Sequence, residues 1–241
     1  MELILNDEQR MVDQAARNFM KRESPVSRMR ALRDDKESPG YDKAVFKQMA
    51  ELGWGYILFP EDQGGMGLGM AEMVVVMEAI GTGLAPEPLL SSVLMAGQIL
   101  SLGGNDALQS EWLESVILAE KVLAVAYQEK GGRFDLARIE TTAKKTGDGY
   151  SLDGRKTQVL DGWGADAVIV PARTSTGLFD GDAVVGRDDG IGILMANAES
   201  RFLTECRVVF VVGPRPEPAL LDKAAADSMD TFFDITVDGP R

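Results

Sequence analysis

The spacing of apolar residues changes once along this chain of 241 residues, and the change limits the fold more than any other feature. Before Leu118 the apolar side chains recur at the three- or four-residue spacing of amphipathic helices. From Lys121 onward they alternate with polar residues or form short runs bounded by glycine, as strands do. The sequence therefore predicts an α+β fold, with an all-helical N-terminal domain at residues 1–120 and a β-domain at residues 121–241.

Start and stop signals divide the first domain into helices. Asn6, with Gln9 three positions later, predicts a capping box at the start of a helix that ends before Pro25. A polar loop is expected from there to Gly40, and Gly53 is expected to close a second helix. The apolar positions expected to face the core are Met11, Val12, Ala15, Ala16 and Phe19, then Ala44, Val45, Met49 and Leu52, then Met70, Met73, Val74, Met77 and Ile80.

The stretch from Gly147 to Arg173 carries the strongest strand signals. Gly147-Asp148-Gly149 and Asp153-Gly154 each favour a tight turn, and β-prone residues lie between and beyond them. Two hairpin turns so close together predict an antiparallel, barrel-like sheet. The apolar run from Ala167 to Val170 predicts the next strand of that sheet.

Composition excludes several classes of function. With no histidine and a single cysteine, Cys206, the chain has no Ser-His-Asp or Cys-His site, and we expect no metal ligands. A formal charge of −13 disfavours nucleic acid as a partner. No apolar run reaches the roughly eighteen residues of a membrane span, and residues 1–10 are too polar for a signal peptide. A cytoplasmic protein is expected.

Three stretches, in the correct order, resemble the acyl-CoA dehydrogenase family. Glu51 to Gly67 reads ELGWGYILFPEDQGGMG, where the family carries ELG, then PEE or PED, then a glycine-rich loop. Tyr127 begins YQEKGGRFDLARIETTA, which resembles the family's TEPNAGSDLASLETTA strand. Gly147 to Gly162 reads GDGYSLDGRKTQVLDG, which resembles GDGYVLNGEKTWITNG, and FFDITVDG from Phe232 resembles the last strand of the family's β-domain.

The resemblance implies FAD as the cofactor. In the family, the threonine of the TEP run holds the pyrimidine edge of the flavin, and Gln128 stands at that position here. The tryptophan and second threonine of the KTWIT run pack on the ring and bond near N5, and Gln158 and Leu160 stand there. Leucine offers no hydrogen-bond donor, whereas glutamine does. The residues aligned with the family's flavin wall are Tyr127, Gln128, Glu129, Gln158, Val159 and Leu160.

The Arg133-Phe134-Asp135 run is the candidate substrate-binding segment. It looks like the small subunits of pimeloyl-CoA and related dehydrogenases, several of which pair two unlike homologous chains. Arg133 can meet a carboxylate of a dicarboxylic acyl group or a phosphate of the cofactor in a bidentate arrangement. A solvated surface arginine that pairs with Asp135 is the alternative.

The resemblance also sets an expectation for catalysis. In the family, a glutamate of a C-terminal four-helix domain removes the α-proton of the acyl-CoA, and we find no counterpart of that domain in this sequence. No catalytic residue is therefore assigned, and internal carboxylates such as Glu61, Glu129 and Asp135 are interpreted as caps, turns or surface charge.

Two functions follow from the resemblance, in the degradation of fatty or dicarboxylic acids. The first is an FAD-dependent subunit that desaturates an acyl-CoA thioester, with the base outside this chain and electron transfer flavoprotein as acceptor. The second is a non-catalytic partner of a homologous dehydrogenase subunit. Apolar faces left bare without the four-helix domain predict an oligomer in either case.

Overall fold

The computed structural model describes residues 4–103, 106–132, 139–146, 149–174, 192–195, 208–214 and 232–234. Helices occupy the first part of the chain, and strands follow from residue 123. The helices are α1 (Asp7–Glu23), α2 (Val26–Asp34), α3 (Lys43–Glu51), α4 (Met70–Gly83), a π-helix (Leu89–Gly97) that runs into α5 (Gln98–Leu102), α6 (Asp106–Leu108) and, after a π-helical turn (Gln109–Leu113), α7 (Glu114–Ile117); a 3₁₀ turn spans Glu61–Gln63.

Helix α1 begins with the predicted capping box. The Asn6 side chain accepts a hydrogen bond from Gln9 N at 2.7 Å, and Asn6 N donates to Gln9 Oε1 at 3.1 Å. Ala16 and Phe19 are buried as expected, but Met11 is 67% exposed. The buried face of α1 therefore lies slightly to one side of the predicted stripe.

The polar loop expected before Gly40 is wrong, because α2 occupies Val26–Asp34. This helix buries none of its residues, even though Val26, Met29 and Leu32 recur at three-residue spacing. Polar contacts attach it instead. The Arg28 guanidinium donates to both oxygens of Glu87, at 2.6 and 2.9 Å, and the Glu87 side chain is completely buried.

The core-facing stripe predicted for α4 is only partly correct. Met73 and Ile80 are buried, whereas Met70 and Val74 are 58% and 56% exposed. Helix α4 is apolar on nearly every side, so the sequence pattern could not select one face. Packing against α1 selects it, and Val75, Val76 and Ala79 are buried there together with Met73 and Ile80.

The eight strands of the described residues form a mixed sheet and a separate pair. They are β1 (Leu123–Val125), β2 (Thr142–Thr146), β3 (Gly149–Asp153), β4 (Arg155–Thr157), β5 (Ala167–Thr174), β6 (Gly192–Met195), β7 (Val208–Pro214) and β8 (Phe232–Asp234). The large sheet has the order β3-β2-β5-β7-β6, with β1 also paired to β5, and β4 pairs with β8. The predicted strand at Ala167 to Val170 is confirmed as part of β5.

The predicted antiparallel barrel is not confirmed. Strands β1 and β2 both pair with β5 in parallel, and the described strands do not close on themselves. A long connection that contains the β2–β3 hairpin separates β1 from β5, and such connections allow two strands to run in the same direction. The fold is a helical region followed by a mixed sheet.

One of the two predicted hairpins forms. Strands β2 and β3 pair antiparallel up to Thr146 opposite Gly149, as the first turn signal predicts. The second prediction is wrong, since β4 leaves β3 after Gly154 and pairs with β8. A Cβ atom at Gly154 would lie 2.4 Å from Thr141 Oγ1, so close approach of Thr141 explains the glycine.

Among the described residues, an apolar cluster joins the helical region to the sheet. It includes Phe46 and Phe59 of the helical region together with Leu123 and Ile169 of the sheet. The domain boundary near residue 120 stays a prediction. Within the described ranges, no helix combines the length and apolar character needed to cross a bilayer.

Replacing Asn6 with alanine is expected to lower the free energy of unfolding by about 1 kcal/mol, because the backbone N–H of Gln9 loses the side-chain oxygen that accepts its hydrogen bond. Urea denaturation followed by circular dichroism measures the loss. Asn18→Ala within the same helix is the control and should change the value by less than about 0.5 kcal/mol. Equal effects of the two substitutions would contradict the capping role.

Candidate functional site

The structure brings the two predicted flavin-wall segments together. Tyr127 to Glu129 follow β1, and Gln158 to Leu160 follow β4. Thr157 N donates a hydrogen bond to the carbonyl oxygen of Gln128 at 2.9 Å, which joins the two segments backbone to backbone.

A buried ion pair reinforces this junction. Lys156 Nζ lies 2.7 Å from Glu129 Oε1 and donates a second hydrogen bond to the Pro171 carbonyl oxygen, also at 2.7 Å. Lys156 is completely buried and Glu129 is 8% exposed. The pair therefore links the segment after β1, strand β4 and strand β5 inside the protein.

Groups of the chain itself supply the hydrogen bonds to the Glu129 carboxylate. Besides Lys156, it accepts hydrogen bonds from Thr141 N at 3.1 Å, Thr141 Oγ1 at 2.7 Å and Glu140 N at 2.6 Å. The interpretation of Glu129 as a surface charge is therefore wrong, whereas its contacts with the backbone N–H groups of Glu140 and Thr141 match the interpretation as a cap. Its assignment to the predicted flavin wall stays a prediction.

Burial and hydrogen bonding have opposite effects on the pKa of each group in this pair. Burial raises the pKa of Glu129, but the hydrogen bonds from Lys156, Thr141 and Glu140 outweigh burial and leave the pKa below its ordinary value. Burial lowers the pKa of the Lys156 ammonium, and the bond to Glu129 opposes that change. The carboxylate is consequently held in its ionised form.

The other predicted cofactor-binding residues differ in their solvent exposure. Val159 is 6% exposed and belongs to the core, whereas Leu160 is 47% exposed and Gln158 is also exposed. Tyr127 and Gln128 are half-buried, and Gln128 Nε2 donates to Tyr127 Oη at 3.1 Å. The predicted substrate residues Arg133, Phe134 and Asp135 lie outside the described residues.

These side chains fit one face of a flavin ring. A flavin presents a flat aromatic surface edged by hydrogen-bonding nitrogen and oxygen atoms. Exposed Leu160 offers an apolar surface, and the amides of Gln128 and Gln158 both donate and accept. The chain thus supplies both kinds of contact at one junction.

The sequence did not reveal the contact between Ser91 and Asp161, which lies beside the site. Gln158 and Asp161 adopt left-handed backbone conformations, with φ of 52° and 53°. The Asp161 carboxylate accepts a 2.5 Å hydrogen bond from Ser91 Oγ on the π-helix. Burial raises the pKa of Asp161, and the Ser91 hydroxyl opposes that rise. The Asp161-Gly162 dipeptide is itself a turn signal, but no local pattern identifies Ser91 as its partner.

Comparison with known proteins supports the resemblance. Residues 6–120 match the Acyl-CoA dehydrogenase, N-terminal domain family. The chain is 36% identical over 143 residues to "Acyl-CoA dehydrogenase FadE27" of Mycobacterium tuberculosis, covering 59% of this chain and 37% of the relative. It is 29% identical over 174 residues to "Caffeyl-CoA reductase-Etf complex subunit CarC" of Acetobacterium woodii, covering 71% of this chain and 45% of that protein.

A solved structure supports the same relationship. The ChsE4-ChsE5 complex from Mycobacterium tuberculosis contains a chain that superposes with a TM-score of 0.65 at 27% sequence identity. The alignment covers 89% of this chain and 56% of that chain. Measured against these three proteins, the chain spans between 37% and 56% of their lengths.

Proposed function

This chain belongs to the acyl-CoA dehydrogenase family, and from that premise we propose that it is a flavin-binding subunit for the α,β-desaturation of an acyl-CoA thioester. The observation that carries the proposal is the junction of Tyr127–Glu129 with Gln158–Leu160. Exposed and half-buried side chains that could contact a ligand adjoin a buried ion pair there. FAD, when bound, would accept a hydride from the acyl group.

The residues of the junction have separate roles in this proposal. Leu160 would offer an apolar contact to the ring, and the amides of Gln128 and Gln158 would supply hydrogen bonds to its nitrogen and oxygen atoms. Glu129 and Lys156 keep the two segments at a fixed separation. We assign no catalytic base among the described residues, and Arg133, Phe134 and Asp135 stay candidates for substrate contact.

The proposed partners follow from the relatives. We propose a homologous dehydrogenase subunit as a partner, because the similar solved structure is a complex of ChsE4 with ChsE5. Electron transfer flavoprotein is the proposed electron acceptor, because the Acetobacterium woodii relative is a subunit of a caffeyl-CoA reductase-Etf complex. Association with either partner would occur in the cytoplasm.

A second function is favoured by one observation. Exposed Leu160 offers no donor to the ring nitrogen at the position where the family resemblance places a threonine. The chain would then support a homologous flavin-bearing subunit without binding flavin itself.

Titration of the purified full chain with FAD, followed by quenching of flavin fluorescence, tests the first proposal. We expect saturable binding, and we expect Leu160→Asp to raise Kd by roughly tenfold or more, because a carboxylate replaces the apolar contact with the ring. Leu102→Asp is the matched control, since Leu102 is 81% exposed at the end of α5. Absence of FAD binding, or equal effects of the two substitutions, would reject the first function, and absence of binding would favour the second.

A further inference from the structure

Side-chain bonds at Asp161 and Trp163 attach the loop that carries Gln158 and Leu160 to the helical region; Trp163 Nε1 donates to the Ser38 carbonyl oxygen at 3.1 Å, and Asp161 is the anchor nearer to Leu160. Asp161 lies in the left-handed region, with φ of 53°, and its carboxylate accepts from Ser91 Oγ at 2.5 Å. Ser91 is 1% exposed, so its hydroxyl is enclosed by the protein. Aspartate tolerates this backbone conformation better than most residues do, because its short polar side chain bonds locally.

Two consecutive serines attach the π-helix to different parts of the sheet region. Ser91 donates to Asp161, and Ser92 Oγ accepts a 3.0 Å hydrogen bond from Leu123 N at the start of β1. Ser92 is also fully buried. The same helix therefore fixes β1 through one serine and the loop through its neighbour.

The bond at Asp161 fixes the far end of the loop. The near end is fixed by Lys156, which lies just before it, through the ion pair to Glu129. Between these anchors, exposed Gln158 and Leu160 lie outside any strand, so no sheet hydrogen bonding determines their direction. Two backbone hydrogen bonds lie inside the loop, from Gly162 N to Val159 O at 3.2 Å and from Gly164 N to Asp161 O at 3.0 Å. They couple the position of Asp161 to that of the neighbouring residues.

We infer that Ser91 and Asp161 are positioning residues that hold this loop against the helical region and so orient Gln158 and Leu160. The role toward flavin rests on the proposed function. The role in fixing the loop does not.

Hydrogen exchange of the full chain, read by mass spectrometry on peptides that cover residues 158–164, tests the inference. We expect Ser91→Ala to accelerate exchange in this loop roughly tenfold, because Asp161 loses its donor and turns toward water. Ser92→Ala is the matched control and should accelerate exchange at Leu123 without changing the loop.

Substitutions of Asp161 separate the hydrogen bond from the charge. Asp161→Asn keeps an oxygen acceptor and tolerance of positive φ, so its loop should exchange within about twofold of the unchanged chain. Asp161→Gly keeps the backbone conformation but removes the acceptor, and it should match Ser91→Ala. Combining Ser91→Ala with Asp161→Gly should add nothing, since both remove the same bond.

Two results would overturn the inference. Unchanged loop exchange in both Ser91→Ala and Asp161→Gly would show that the bond does not hold the loop, and so would equal acceleration by Ser92→Ala. FAD titration of the same variants distinguishes the role in fixing the loop from the role toward flavin. If the unchanged chain binds no FAD, the proposed function fails while exchange still decides the loop. If the loop opens and Kd for FAD stays constant, the orienting role is rejected.

Discussion

Replacing Lys156 with methionine is expected to reduce the free energy of unfolding by about 3–5 kcal/mol. The substitution leaves the ionised carboxylate of Glu129 buried without its cation, and it removes the donor to the Pro171 carbonyl oxygen. Methionine nearly matches the length of the lysine side chain, so loss of the charge dominates over loss of volume. Urea or thermal denaturation followed by circular dichroism measures the change.

An exposed ion pair supplies the control for Lys156→Met. Arg10 pairs with Asp7 across one turn of α1, with side-chain exposures of 57% and 94%. Arg10→Met should change the free energy of unfolding by less than about 0.5 kcal/mol, because water already solvates both partners. Similar losses for Arg10→Met and Lys156→Met would contradict the role assigned to the buried pair.

A second substitution at the pair sharpens the test. Glu129→Gln in the Lys156→Met background removes the unpaired charge and keeps one oxygen acceptor for the two Thr141 donors, while the amide nitrogen replaces the oxygen that accepts from Glu140 N. We expect the double variant to recover at least about 1 kcal/mol relative to Lys156→Met alone. If Glu129→Gln instead lowers stability further, the carboxylate charge is not the source of the loss.

Replacing Gly154 with alanine is expected to lower the free energy of unfolding by about 2–3 kcal/mol. The new Cβ would lie 2.4 Å from Thr141 Oγ1 and 2.6 Å from Thr141 Cα, so the backbone at Thr141 must move as well as its side chain. Thr141 donates two hydrogen bonds to Glu129, and the displacement therefore reaches the buried pair. Denaturation under the same conditions measures the loss.

The control for Gly154 is a glycine with free space. Gly81 lies in α4, and nothing lies within 4 Å of a Cβ atom placed there. Gly81→Ala should leave stability unchanged or raise it by up to about 1 kcal/mol, because alanine favours the helix. The double variant Gly154→Ala/Lys156→Met should lose less stability than the sum of the two single losses, since both substitutions act on Glu129. Fully additive losses would show that Gly154→Ala does not act through Glu129.

The two segments of the candidate site were found from the sequence, but the parts played by their residues were not. Sequence reasoning grouped Glu129 and Val159 with the ligand-facing residues, and the structure buries both. It also gave Ser91 and Asp161 no role in the site. A resemblance aligns positions along the chain, whereas the direction of each side chain depends on which distant residues surround it.

The sequence by itself determined features that depend on neighbouring residues. The capping box at Asn6, the β2–β3 hairpin and the strand from Ala167 each arise from residues a few positions apart, and local energetics specify them. Tertiary structure alone decided the buried face of α4, the parallel pairing of β1 with β5 and the partners of Lys156 and Asp161. These depend on contacts between distant segments, and the periodicity of one segment carries no information about the surface that another will present to it.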